Sequence, residues 1–213
     1  NLVHANRRAM GFGVARVSRP ALRSGRATLR RGRPRSLRAG SRVCNCVCKE
    51  RHLTVEKKDI DWGSLGFGYM KTDYSYEAHW KDGEWDEGGL TTDHTLHVSE
   101  CGGIFHYCQE VFEGLKAYTA EDGSIVCFRP DMNAERMYNS AQRLEMPPFP
   151  KDKFVEAVKQ VVSANAAWVP PFGSGATLYV RPFMIGSGDV IGVAPAPEYT
   201  FRILVTPVGP YFK

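Results

Sequence analysis

Two short apolar runs, Leu115 to Tyr118 and Ser124 to Phe128, are separated by Thr119-Ala120-Glu121-Asp122-Gly123 and followed at once by Arg129-Pro130. Asp-Gly at the end of such a gap favours a β-hairpin, so pairing here is local and its register is cheap to form. After Pro130, Asp131 is placed to cap a helix whose apolar side runs through Met137, Ala141 and Leu144, at i, i+4 and i+7. Pro147-Pro148 is expected to end it. On that helix Arg136, Ser140 and Arg143 share a different face. Arg136 falls in the first turns, where backbone dipoles favour an anion, and a fixed guanidinium there suits a phosphate. By residue types alone, a solvated arginine stripe is the commoner meaning of the same pattern.

The other elements are read the same way. Leu65 to Thr72 and Tyr74 to Trp80 look extended, the second with Tyr74, Tyr76, Ala78 and Trp80 on one face. Lys151 to Ala166 forms an amphipathic helix through Phe154, Val158, Val161 and Val162, closed by Pro170-Pro171. Ala176 to Ile185 reads as a strand with Tyr179, Arg181 and Phe183 on one side and Leu178 and Val180 on the other. Burying Arg181 would demand an anionic partner, whereas Pro182, which cannot donate to a ladder, also fits an edge strand with Arg181 in water. Gly186-Ser187-Gly188 starts a loop, and Tyr199 to Thr206 supplies a last strand.

Charge is divided sharply along the chain. Residues 1–49 carry twelve arginines and Lys49 without an acidic residue, whereas residues 50–213 hold 15 basic and 23 acidic residues. An acid-free, arginine-rich arm with Ser and Ala is the composition of an organelle transit peptide, and it is excluded from the fold. The competing reading is a disordered tail binding nucleic acid, but only Phe12 interrupts the arginines with an aromatic ring. The remaining chain, in a protein of 213 residues with 43% hydrophobic content, is expected to be a soluble α+β domain spanning residues 50–204.

Metal chemistry finds no support in the spacing. Cys44, Cys46 and Cys48 lack the C-x2-C pairing of zinc sites, and Cys101, Cys108 and Cys127 read as small buried hydrophobes. His94 and His97 have no clear third ligand and read as polar loop residues. G-x-G-x-x-G, P-loop, G-x-S-x-G and H-E-x-x-H patterns do not occur.

The segments DIDWGSLGFGYMKTDY from Asp59, VFEGLKAY from Val111, FRPDMNAERM from Phe128, WVPP from Trp168, LYVRPFMIGSGDVIGVAPAPEYTF from Leu178 and VTPVGPYFK from Val205 run across nearly all of residues 59–213. In order and spacing they resemble the branched-chain amino acid aminotransferases, the plastid type of plants and algae in particular. The resemblance implies the small α+β domain of fold-type IV enzymes that use pyridoxal 5′-phosphate, with residues 205–213 beginning the connection to a further, large domain. It places Arg136 on the cofactor phosphate, and Tyr179 and Arg181 in the substrate pocket, with Arg181 meeting the distal carboxylate of glutamate or 2-oxoglutarate. Phe67, Tyr107 and Phe112 match aromatic positions around the aliphatic side chain of leucine, isoleucine or valine. Ile191 and Val193 match positions that reach into a neighbouring subunit's site, as does Tyr107, so a homodimer is implied.

No catalytic residue is assigned within the chain, because the family's cofactor-bearing lysine is expected beyond Lys213; Lys116 reads as a structural or surface residue. The resemblance also implies a chloroplast location, with the mitochondrion as the alternative. Three other readings stay open at this point: a D-amino acid aminotransferase, an aminodeoxychorismate lyase, and a non-catalytic dimerising or binding module.

Overall fold

In chain order the elements are β1 (Ser75–Lys81), β2 (Glu84–Trp85), β3 (Gly89–Thr91), the short helix α1 (Gly103–Tyr107), β4 (Glu110–Phe112), β5 (Leu115–Thr119), β6 (Ile125–Cys127), α2 (Pro130–Arg143), α3 (Lys151–Ala164), β7 (Thr177–Gly186) and β8 (Tyr199–Val208). They are seen in a computed structural model that describes residues 55–210, all of which belong to the unit Val43–Lys213. The arginine-rich arm, the C-x-C-x-C run and Lys213 lie outside the described residues.

The strands form one antiparallel sheet in the order β2-β1-β8-β7-β5-β6, with β3 beside β1 and β4 beside β7. At its centre β7 and β8 pair along ten residues, from Thr177 opposite Val208 to Gly186 opposite Tyr199. Period-two alternation sorts their side chains between two faces. Phe201, Ile203 and Val205 point one way and are buried with Phe154, Val158 and Val161 of α3. Phe149 stacks on Phe201 with ring centroids 3.9 Å apart, and Phe154 approaches the same ring at 6.0 Å. Apolar burial on this face fixes both the register and the docking of α3, since a one-residue slip would turn the apolar set outward. On the other face lie Tyr179, Arg181 and Phe183, which are half-buried.

β4 and β5 are a single strand with a break at Glu113-Gly114. Phe112 pairs with Phe183 and Leu115 with Val180, so both pieces keep one register along β7. Opposite the break stands Pro182, whose carbonyl accepts a bond from Glu113 N–H at 2.8 Å. A narrow antiparallel pair would return a second bond, but proline has no N–H to give. The gap in the ladder thus has a one-residue cause.

Several expectations are corrected. Pro182 sits in an interior strand, tolerated because its imino side faces the break. Leu65–Thr72 joins no ladder and is held instead by single bonds, Met70 N–H to Thr206 Oγ1 at 2.9 Å and Gly209 N–H to Gly66 O at 3.0 Å. Asp131 does not cap α2: Arg129, in the left-handed region at φ 47°, is the N-cap, and its guanidinium binds the Asp131 carboxylate at 2.9 Å. α2 stops at Arg143, before Pro147-Pro148, and Leu144 is exposed past its end. α3 stops at Ala164, with a 3-10 turn at Ala166–Trp168. β8 continues to Val208, so the expected connection from residue 205 begins inside a strand. Of the cysteines, Cys127 is buried, Cys101 half-buried and Cys108 exposed.

Candidate functional site

The β5–β6 hairpin forms where the Asp122-Gly123 signal puts it, with Gly123 at φ 79° and Ala120 N–H bonded to Ser124 O. It delivers the chain to α2, whose Met137 and Ala141 are buried against the core while Arg136 faces out. A cavity of about 550 Å3 opens where α2 meets the broken strand, lined by Gly114, Lys116, Arg129, Asn133, Arg136 and Tyr179 among others. Tyr179 and Arg136 thus face one space, although one stands on β7 and the other on α2.

Arg136 is not adrift in water. Glu113 takes two bonds from it, Nε to Oε1 at 3.0 Å and Nη2 to Oε2 at 2.7 Å, a forked pairing that fixes the guanidinium plane. These hydrogen bonds raise the Arg136 pKa further above its already high value. Asn133 Nδ2 donates to Glu113 Oε2 at 2.8 Å and to Gly114 O at 3.2 Å, tying the carboxylate and the break to α2. The fork engages two of the five guanidinium N–H groups and leaves the others for an anion.

On the other side of Tyr179 the second arginine is held. Arg181 Nε and Nη2 donate to the Tyr179 hydroxyl at 3.0 and 2.8 Å. Its guanidinium lies 4.5 Å from the Phe112 ring centroid and 5.2 Å from that of Tyr179. Phe67 meets Tyr179 at 5.5 Å. Phe67, Phe112, Tyr179 and Arg181 therefore form one aromatic surface enclosing a cation. Among the described residues no carboxylate pairs with Arg181. The long unpaired stretch 65–72 has a role after all, since it brings Phe67 to β7.

Tyr107, Ile191 and Val193 make a second group. The Tyr107 hydroxyl donates to Ile191 O, and Tyr107 shares a smaller cavity with Val193 and Cys108. Ile191 and Val193 are 73% and 94% exposed, more than apolar residues of a finished surface usually are.

Sequence reasoning missed Glu113, whose role was hidden because its partner lies 23 positions away on another element. It also missed α1, too short for periodicity to reveal, and Arg202, a buried cation bonded to Glu77 at 2.6 Å across β1 and β8. Lys116 is half-buried in β5 and lines the Arg136 cavity, a position the sequence did not single out.

Comparison with solved structures defines the class. The branched-chain amino acid aminotransferase of Escherichia coli aligns with a TM-score of 0.53 at 25% identity, over 67% of this chain and 42% of that one. That of T.th., solved with pyridoxamine 5′-phosphate, aligns with a TM-score of 0.52 at 26% identity, over 68% and 42%. The described body has the α+β sheet fold found in these fold-type IV aminotransferases. No family model matches the chain.

Relatives in sequence make the assignment narrower. A Haemophilus influenzae branched-chain-amino-acid aminotransferase is 60% identical over 156 residues, 73% of this chain and 46% of its own length. A chloroplastic form from Humulus lupulus is 50% identical over 173 residues (80% and 42%), and a mitochondrial form from the same plant 46% identical over 171 (80% and 42%). The chain is homologous to the branched-chain amino acid aminotransferases, plant chloroplast forms among them. It spans less than half the length of these relatives.

Proposed function

We propose that the protein carrying this chain transfers the amino group of L-leucine, L-isoleucine or L-valine to 2-oxoglutarate, using pyridoxal 5′-phosphate. The observation that carries this reading is the placement of two guanidiniums near Tyr179, Arg136 in an open cavity that Tyr179 also lines and Arg181 against the Phe112 and Tyr179 rings.

The Arg136 side fits a phosphate by its cations. Arg136 keeps donors free in a cavity it shares with Lys116, Arg129 and the Asn133 side chain, so a dianion placed there meets cations on more than one wall. When bound, the cofactor ring supplies the sink for the electron pair left as the α-proton departs. This chain contributes the grip and the walls. We assign no proton transfer to Lys116, and the lysine that bears the cofactor is sought outside the described residues.

The aromatic side fits two kinds of substrate. Phe67 and Phe112 reward burial of an aliphatic side chain at about 25 cal/mol per Å2. Arg181, held by a neutral hydroxyl, is available to a carboxylate when glutamate occupies the same volume. Discrimination among the three aliphatic substrates is expected to be weak, since one methylene is worth roughly 1–3 kcal/mol. The group of half-buried Tyr107 and exposed Ile191 and Val193 is read as the surface of a homodimer, covered by a second subunit. Residues 1–49 are read as a plastid-targeting arm, and the small domain is read as reaching at least to the end of β8 at Val208.

The test is an assay of the purified protein with pyridoxal 5′-phosphate and 2-oxoglutarate, offering L-leucine, L-isoleucine, L-valine and D-alanine in parallel. Turnover of the L-branched donors supports the reading. Failure with all three would overturn it.

A further inference from the structure

The Phe112-Glu113-Gly114 tripeptide lies against Arg181, Arg136, Asn133 and Tyr179 of the site just described. The Phe112 ring lies under Arg181, Glu113 grips Arg136, and a Cβ on Gly114 would come within 2.6 Å of the Tyr179 hydroxyl. All three residues sit at the strand break opposite Pro182. Register sends Phe112 and Gly114 to the face bearing Tyr179 and Arg181, and Glu113 to the helix face.

We infer that Glu113, anchored through Asn133 and the break at Pro182, is the positioning residue that aims Arg136 at the cofactor phosphate. This rests on the function proposed above and goes beyond it by giving an acidic residue a role in holding an anion. The Glu113 side chain is 12% exposed against 55% for Arg136, so the carboxylate is the fixed member of the pair and the guanidinium the guided one. Each Glu113 oxygen accepts from the guanidinium, and Oε2 also accepts from Asn133, a buried residue of the preceding turn of α2. A flexible arginine on a helix surface loses rotamer freedom only when something holds it, and here that cost is met before any ligand arrives.

The inference has a sign that simple electrostatics does not share. Removing the negative charge of Glu113 makes the cavity more cationic and by charge alone would tighten phosphate binding. Loss of the fork instead frees Arg136 and weakens it.

The experiment titrates the purified cofactor-free protein with pyridoxal 5′-phosphate and, separately, with pyridoxal, following absorbance, for wild type, Glu113→Gln, Arg136→Ala and the double variant. Glu113→Gln is expected to weaken pyridoxal 5′-phosphate by roughly ten- to hundred-fold, as misplacement of an orienting group does. Pyridoxal, which lacks the phosphate, should be unaffected, and the substitution should cost nothing once Arg136 is alanine. Glu113→Asp, which keeps the charge but shortens the reach, should behave like Glu113→Gln and serves as the second variant should the amide disturb folding by circular dichroism. Unchanged or tighter pyridoxal 5′-phosphate binding in both Glu113 variants, with Arg136→Ala still weak, would overturn the inference alone. An Arg136→Ala variant that binds as tightly as wild type would instead remove the phosphate reading beneath it.

Discussion

The Tyr179 hydroxyl accepts two hydrogen bonds from Arg181, from Nε at 3.0 Å and Nη2 at 2.8 Å, although both residues belong to the same strand two positions apart. Their side chains share a face by the period of the strand, and the phenol acts as a neutral rest for a cation. A neutral rest matters because a carboxylate in its place would compete with any anionic substrate.

Tyr179→Phe removes that acceptor and leaves the aromatic wall. Arg181 then loses its orientation but keeps the Phe112 ring beneath it. The KM for 2-oxoglutarate is expected to rise roughly tenfold, the worth of one charge-assisted bond, with little change for leucine. Steady-state kinetics with each substrate varied in turn checks this, and an equal change for both would contradict it.

Gly114→Ala tests the close approach at the strand break. A Cβ 2.6 Å from the Tyr179 hydroxyl must displace a group already held by two bonds. The expected cost is about 1–3 kcal/mol of stability from overpacking, read from urea unfolding, together with the loss of 2-oxoglutarate affinity seen for Tyr179→Phe. Gly123→Ala, in the hairpin turn at φ 79°, should lose stability without touching 2-oxoglutarate affinity.

The hairpin, α2, α3 and the two long strands are legible in the sequence because each is specified locally, by Asp-Gly, by a proline start, or by a clean period. Arg136 and Arg181 can likewise be picked out as candidate anion binders from their settings, whereas Tyr179 is named only through the family resemblance. The long-range pairings cannot be read this way. Nothing near Glu113 announces Arg136, and nothing near Pro182 tells that its missing donor faces a gap in a neighbouring strand. Phe67 reads as part of a strand for the same reason. Its extended backbone is held by single bonds to β8 and the residues just after it, and periodicity cannot distinguish that from a ladder.

Arg202 provides a stability test away from the site. It is 3% exposed and donates to Glu77 at 2.6 Å, to Thr95 O at 3.0 Å and to Asp93 O, pinning the segment after β3 onto β8. Arg202→Met should cost about 3 kcal/mol in denaturant unfolding, since Glu77 is left with His79 alone while two carbonyls lose their donor. Adding Glu77→Leu should restore part of that loss, because two well-packed apolar groups need no partner. A double variant as weak as the single one would show that the carbonyl bonds, and not the ion pair, are what matters.

His94 contributes to the response to acid. It stands half-buried, with Nδ1 3.3 Å from Ser75 Oγ and Nε2 buried without a hydrogen-bond partner. Burial foremost, then the nearby charges of Lys71 and Arg202, hold its pKa below the ordinary histidine value, against a hydrogen bond to the Asp73 backbone and the charge of Asp93. The unfolded chain takes up a proton on this ring near pH 6.5, about the free value, while the folded chain does not until lower pH. Between those points the unfolded state binds more protons, so stability falls as the pH drops below about 6.5 and levels off once the native ring is also charged. His94→Gln removes the titration while keeping a polar group beside Ser75. Thermal unfolding followed from about pH 7.5 to 5.5 should show a smaller drop in Tm for the variant than for the wild type. The exposed carboxylates Asp93, Asp131 and Glu135, whose pKa values are lowered, act only in a more acidic range and do not blur the comparison. Equal drops in the two proteins would mean that the buried imidazole is already accommodated as a cation in the fold.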